Sequence, residues 1–149
     1  MNLPFRSILT VCTGNICRSP AAEALLRAQL PGLQLGSAGL GALVGQPMDE
    51  TTRAVMQRRT GVDHPHHRAQ QLVEPLLRAF ELVLVAEQGQ RDEILARWPF
   101  VRGRVFLLTH WTDRTDVLDP YRQPEEVHER SLEQIEAAVR SWASRFGAT

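Results

Sequence analysis

Along the chain, short apolar runs alternate with longer stretches whose apolar positions recur at helical spacing. Ser7–Cys12, "SILTVC", is β-rich and predicts a buried strand. Pro20–Leu30, "PAAEALLRAQL", is rich in Ala and Leu and predicts a helix. Ser19 is its expected N-cap, with Pro20 at the first helical position, where a missing N–H loses no partner. Pro31 and Gly32 end it. Leu33–Leu40 predicts a second strand running into a Gly-rich loop. Asp49–Gly61 predicts a helix, with acidic residues early, basic residues late and a glycine stop. Gln70–Phe80 predicts a weaker helix interrupted by Pro75. Glu81–Glu87 is the clearest buried strand, Gln90–Trp98 a helix and Arg104–His110 a fourth strand. A polar loop from Trp111 to Glu126 follows. From about Glu125 the pattern is helical to the end, with Leu132, Ile135, Val139, Trp142 and Phe146 on one stripe.

This alternation predicts an α/β domain, a four-stranded parallel sheet with helices on both faces. No repeat or linker divides residues 1–149, so one domain is expected over that span. Apolar residues make up 43% of the 149, enough for a hydrophobic core without metal or disulfide staples. Seventeen basic and seventeen acidic side chains cancel, which argues against binding nucleic acid by bulk charge but leaves room for a local basic pocket. No apolar run is long enough to enter and cross a bilayer, and the first residues lack a signal peptide's apolar stretch. A cytoplasmic, reducing location is expected. In that setting a cysteine pair points to chemistry more often than to structure. Trp98, Trp111 and Trp142 are too scattered to mark an interface, so the oligomeric state stays open.

Both cysteines fall in "VCTGNICRSP", Val11–Pro20. Cys12 ends a predicted strand and a helix follows, where ligands of such sheets bind. Thr13 to Arg18 must turn tightly, and Gly14 is expected to take the unusual dihedrals. Successive N–H groups of such a turn converge, and with the helix N-terminus they form an anion cradle. The phosphate-binding residues are then Thr13, Gly14, Asn15, Ile16, Cys17, Arg18 and Ser19. Arg18 adds a planar fork for two phosphate oxygens. A Cys12 thiolate beneath the cradle is set up to attack phosphorus. A lone cysteine at a strand end is otherwise a small core residue. A C-x4-C pair lacks further thiolates for a metal site, and the loop lacks the lysine and spacing of a nucleotide P-loop.

"CTGNICRS" resembles the C-x5-R-S signature of the low-molecular-weight protein tyrosine phosphatases. "SPAAEALLR", "SAGLGALVGQP" and "DPY" (Asp119–Tyr121) extend the resemblance over the whole chain, towards bacterial members tied to capsule and exopolysaccharide synthesis. The resemblance implies Cys12 as nucleophile, Arg18 as phosphate ligand and Asp119 as general acid. It implies a phosphocysteine intermediate and neither metal nor cofactor. Ser19 would bond the Cys12 sulfur, and Asn15, Ser37 and His67 would hold the loop. Ile16 would form the pocket floor, with Leu40 and Tyr121 flanking the phosphotyrosine ring. The implied partner is a phosphotyrosine protein, the tyrosine-rich C-terminal tail of a bacterial autokinase. The family often shows H-x-A-R-Q where this chain reads "HRAQQ", so a support contact at Gln70 is expected to differ.

Two relatives of the same fold compete. Arsenate reductases need further cysteines to pass electrons on, and this chain has only Cys12 and Cys17. Protein-arginine phosphatases usually carry threonine at the position of Ile16, whose apolar side chain suits an aromatic ring instead. Cys17 itself has two readings, packing under the loop or a resolving thiol for oxidised Cys12. The histidines His64, His66 and His67 in "HPHH" are expected to be solvated, with no carboxylate pattern beside them.

Overall fold

The computed structural model describes residues 2–146. Strand β1 (Ser7–Cys12) is buried along its whole length because it lies inside the sheet. It pairs in parallel with β2 (Gln34–Gly39) on one side, with Cys12 opposite Gly39, and with β3 (Leu82–Val85) on the other. Strand β4 (Val105–Leu107) pairs with β3, giving the order β2-β1-β3-β4. Alternation along the strands sends Ile8, Leu82 and Leu84 to one face and Leu9, Val11, Val83 and Val85 to the other. The first face is covered by α1 (Arg18–Gln29), α2 (Glu50–Thr60) and α5 (Glu125–Arg145), and the second by α3 (Glu74–Arg78) and α4 (Gln88–Arg97). After β1 the chain adds β2 on one side, then crosses back to add β3 on the other. The carboxyl end of β1 therefore sits at the switch in strand order, where an open α/β sheet leaves its crevice.

The elements expected from the pattern are present, with four differences. Helix α1 starts at Arg18, with Cys17 rather than Ser19 in the capping position and no side chain capping it. Ser19 is inside the helix, and its hydroxyl is engaged with the sulfur of Cys12 instead of a backbone N–H. Pro20 becomes the third helical residue, still within the first turn whose N–H groups have no helical acceptor. The segment Gln70–Phe80 is not one interrupted helix. Gln70–Leu72 runs beside β2, where Gly39 N–H donates to Gln70 O (3.0 Å) and Leu72 N–H to Gly39 O (2.8 Å). Pro75 then opens α3 instead of breaking it. Helix α4 begins two residues early, closed by a reciprocal capping box between Glu87 and Gln90. Strand β4 is only three residues, because after Leu108 N–H reaches Val85 O the chain turns at His110. The α5 stripe buries Leu132, Ile135, Val139 and Trp142 as expected, and Phe146 packs partly against them. Among the described residues no helix is long and apolar enough to cross a membrane.

Candidate active site

Between β1 and α1 the backbone makes one turn whose carbonyls all point outward. Cys12 O accepts from Leu40 N–H, Thr13 O from Gly41 N–H, Gly14 O from Leu43 N–H, Ile16 O from Asp49 N–H and Cys17 O from Ala21 N–H. Asn15 O accepts from His67 Nε2 at 2.7 Å. With the carbonyls fixed outside, the N–H groups face inward, and none from Thr13 to Arg18 finds an acceptor among the described residues. Such a ring of donors at a helix start is an anion socket.

The strained residue of this turn is Asn15, at φ 59°, and not Gly14, which lies outside the left-handed region. Asparagine tolerates that region, and here its buried side chain is bonded at every edge. Nδ2 donates to Ser19 Oγ (2.8 Å) and Ser37 Oγ (3.0 Å), while Oδ1 accepts from Gln70 N–H (2.9 Å). Ser37 Oγ in turn donates to Glu23 Oε1 (2.7 Å). Burial alone would raise Glu23, but donors from His64, Ser37 and Arg27 hold its carboxyl down to about 2. His67 donates to a carbonyl, so Nε2 carries its proton, and burial lowers its pKa and keeps the ring neutral. Gln70, at the position that departs from the family pattern, replaces the expected contact with one from Nε2 to Ser37 O (2.9 Å). Gly39 and Glu23 are support residues that the sequence did not disclose. A Cβ on Gly39 would lie 2.3 Å from Thr13 O, so the turn packs this closely only over glycine. The one available signal was a glycine at the end of β2.

Cys12, almost fully buried, ends β1 with Sγ 2.9 Å from Ser19 Oγ. Asn15 already donates to that oxygen, so the serine hydroxyl is free to point its proton at a thiolate. Arg18 is buried too. Its Nη1 is held by Glu87 Oε2 (2.6 Å) and Val117 O (2.9 Å), which orients the guanidinium and leaves Nη2 3.9 Å from Asp119 Oδ2. In the sequence Glu87 marks only the end of a predicted strand. Its position at the carboxyl end of β3, on the crevice side, was the signal. Asp119 is exposed, and its Oδ1 accepts from Tyr121 N–H (3.1 Å). The loop carrying it is tied down by Gln134 of α5, which accepts from Leu118 N–H and donates to Asp116 O. Val117 N–H also reaches Ala86 O, so Arg18 and the loop carrying Asp119 share one anchor at the end of β3.

One cleft is lined by the turn from Cys12 to Arg18 together with Gly41, Leu43, Asp119 and Tyr121. Cys12, Arg18 and Asp119 thus meet, with Ile16 in the wall and Tyr121 at the mouth. Leu40 is not part of that wall. It is turned to the α3/α4 face of the sheet and packs on that core, and Leu43, three residues on, takes the place expected of it. Cys17 is buried against Ile16, Ala69 and Leu43, and burial pushes its thiol up to about 12. Of the histidines only His66 is exposed. His64 and His67 turn inward, and the carboxylate of Glu23 does accompany them.

Comparison with known proteins agrees with this geometry. The sequence pattern of the family described as low molecular weight phosphotyrosine protein phosphatase matches residues 7–149. The chain is similar to a protein described as probable low molecular weight protein-tyrosine-phosphatase EpsP of Ralstonia nicotianae, 45% identical over 143 residues, covering 96% of this chain and 97% of that one. The fold is similar to the tyrosine phosphatase Wzb from Escherichia coli K30 in complex with sulphate, at TM-score 0.92 and 39% identity, covering 96% of this chain and 99% of that one. It is also similar to Vibrio vulnificus Wzb in complex with benzylphosphonate, at TM-score 0.91 and 36% identity, covering 95% of this chain and 99% of that one.

Proposed function

The chain belongs to the low molecular weight phosphotyrosine protein phosphatase family, and from that premise we propose how this protein-tyrosine-phosphatase works and what it acts on. The substrate phosphate enters the socket formed by the inward N–H groups and Arg18. Cys12 Sγ attacks phosphorus, the bond to the tyrosine oxygen breaks, and Asp119 protonates the departing phenolate. Asp119, now ionised, takes a proton from water, which attacks the phosphocysteine and releases phosphate and the Cys12 thiolate. Ser19 stabilises that leaving sulfur. The N–H ring and Arg18 hold the equatorial oxygens in both transition states, and since their positions are set before substrate arrives, little reorganisation opposes the reaction.

The observation that carries this reading is the convergence of Cys12, Arg18 and Asp119 on one cleft beneath a turn with every carbonyl facing away. Ile16, Leu43 and Tyr121 give the cleft apolar walls suited to an aromatic ring, as the benzylphosphonate complex of the Vibrio relative suggests. The protein acts in the cytoplasm on the tyrosine-rich C-terminal tail of a bacterial autokinase that controls polysaccharide export. The test is turnover of a phosphotyrosine peptide, phosphoarginine and arsenate side by side, with Cys12→Ser as control. Phosphotyrosine is turned over, and Cys12→Ser loses turnover but still binds phosphate. Preference for phosphoarginine, or hydrolysis by the purified variant, overturns the reading.

A further inference from the structure

Behind the catalytic turn, Glu23 of α1 meets His64 and His67, with one potential ligand atom of each within 4.8 Å of the others. These side chains line a pocket that His66 also borders. Glu23 is almost fully buried, and both of its oxygens are hydrogen-bonded. Oε2 is taken by Arg27, and Oε1 accepts from Ser37 while facing His64 Nε2 at 3.2 Å. A tetrahedral ion with bonds near 2.0–2.1 Å spaces its ligands about 3.4 Å apart, so this pair already stands at ligand separation.

His67 supplies the third direction. Asn15 O can only accept, so His67 Nε2 keeps its proton and Nδ1 keeps a lone pair. An imidazole that donates one nitrogen to a backbone carbonyl and offers the other is the arrangement that metal-bound histidines use. An ion seated here takes the place of the proton that His64 Nε2 directs at Glu23 Oε1. Two imidazoles and a carboxylate suit zinc-like ions better than Mg²⁺ or Ca²⁺, which prefer all-oxygen shells.

We propose that Glu23, His64 and His67 form a site for a divalent transition cation of the Zn²⁺ type. It binds through Glu23 Oε1, His64 Nε2 and His67 Nδ1, with the fourth position open to His66 or water. Coordination through Nε2 leaves the N–H of His64 on Nδ1. The donors His67 Nε2 and Ser37 Oγ stay on Asn15 O and Glu23 Oε1, so the ion fixes His67 against the strained Asn15 directly and Ser37, which accepts from Asn15 Nδ2, through Glu23.

The test uses the full chain with Cys12→Ser, which removes the catalytic thiolate as a competing zinc ligand. Zn²⁺ is titrated against a chromophoric chelator, thermal unfolding is followed with and without Zn²⁺, and phosphate binding reports that the turn is intact. One Zn²⁺ per chain is expected, with a rise in Tm. Adding His64→Ala should weaken Zn²⁺ by on the order of tenfold or more and remove the Tm rise while phosphate still binds. His64→Gln, which retains a donor towards Glu23, should lose the ion in the same way. Absence of one-to-one binding, or Zn²⁺ held as tightly by both His64 variants, overturns the site.

Discussion

Replacing Asn15 separates two forces that shape the turn between β1 and α1. Its side chain makes three hydrogen bonds, two buried ones to Ser19 and Ser37 and a partly buried one from the N–H of Gln70, and its backbone sits at φ 59°. Asn15→Gly keeps that backbone without steric cost and loses the bonds. At roughly 1 kcal/mol net per bond, the loss is about 3 kcal/mol. Asn15→Ala loses the same bonds and adds the left-handed penalty of about 1–2 kcal/mol. Urea unfolding followed by tryptophan fluorescence measures both. In a chain of this size each kcal/mol lowers Tm by about 2–4 °C, so the two variants should be resolved by thermal melts as well. In kinetics, both should lose kcat against an aryl phosphate, because Ser19 and the inward N–H groups are no longer held. Equal stabilities for Ala and Gly would remove the backbone term. Wild-type stability and kcat in both would refute the role of Asn15 altogether.

Asp119→Ala should slow phosphorylation of Cys12 by roughly two to four orders of magnitude for poor leaving groups and less for acidic phenols. Single-turnover rates across a leaving-group series check this, and an equal loss throughout takes Asp119 out of the acid role. Ile16→Thr should lower kcat/KM for phosphotyrosine and raise it for phosphoarginine, while unchanged values for both place Ile16 outside recognition. Glu23, held near 2 against its ordinary 4.5, stabilises the fold above pH 4.5 and loses that contribution as pH falls towards 2. Acid unfolding of Glu23→Gln should therefore be flatter over that range, and a parallel profile refutes it. Burial that lifts Cys17 to about 12 makes its thiolate fraction rise about tenfold per pH unit above neutrality. Any Cys12–Cys17 disulfide formed after peroxide, read by peptide mass spectrometry, should form correspondingly faster at pH 9 than at pH 7. A pH-independent rate would rule out Cys17 thiolate as the attacking group.

Some of this was legible along the chain because it is local. The apolar run Ser7–Cys12 forms a strand whatever surrounds it, and the α5 stripe follows from helical spacing alone. Cys12, Arg18 and Ser19 stand in one short motif, so a turn brings them together with no help from distant residues. What sequence order hides is contact across the sheet. Glu87, Gln134, Gly39 and Glu23 act through approaches made by parallel pairing and helix packing, separated from their partners by up to 69 positions in the case of Glu87 and Arg18. Composition was equally silent on which residue takes the left-handed backbone. Glycine was the better guess from intrinsic freedom, but the hydrogen bonds gathered around Asn15 in the folded chain outweigh its steric cost there. Leu40 and Leu43 differ for the same reason. Both are leucines in one Gly-rich loop, and only the direction in which each leaves β2 decides that one fills the core and the other faces the cleft.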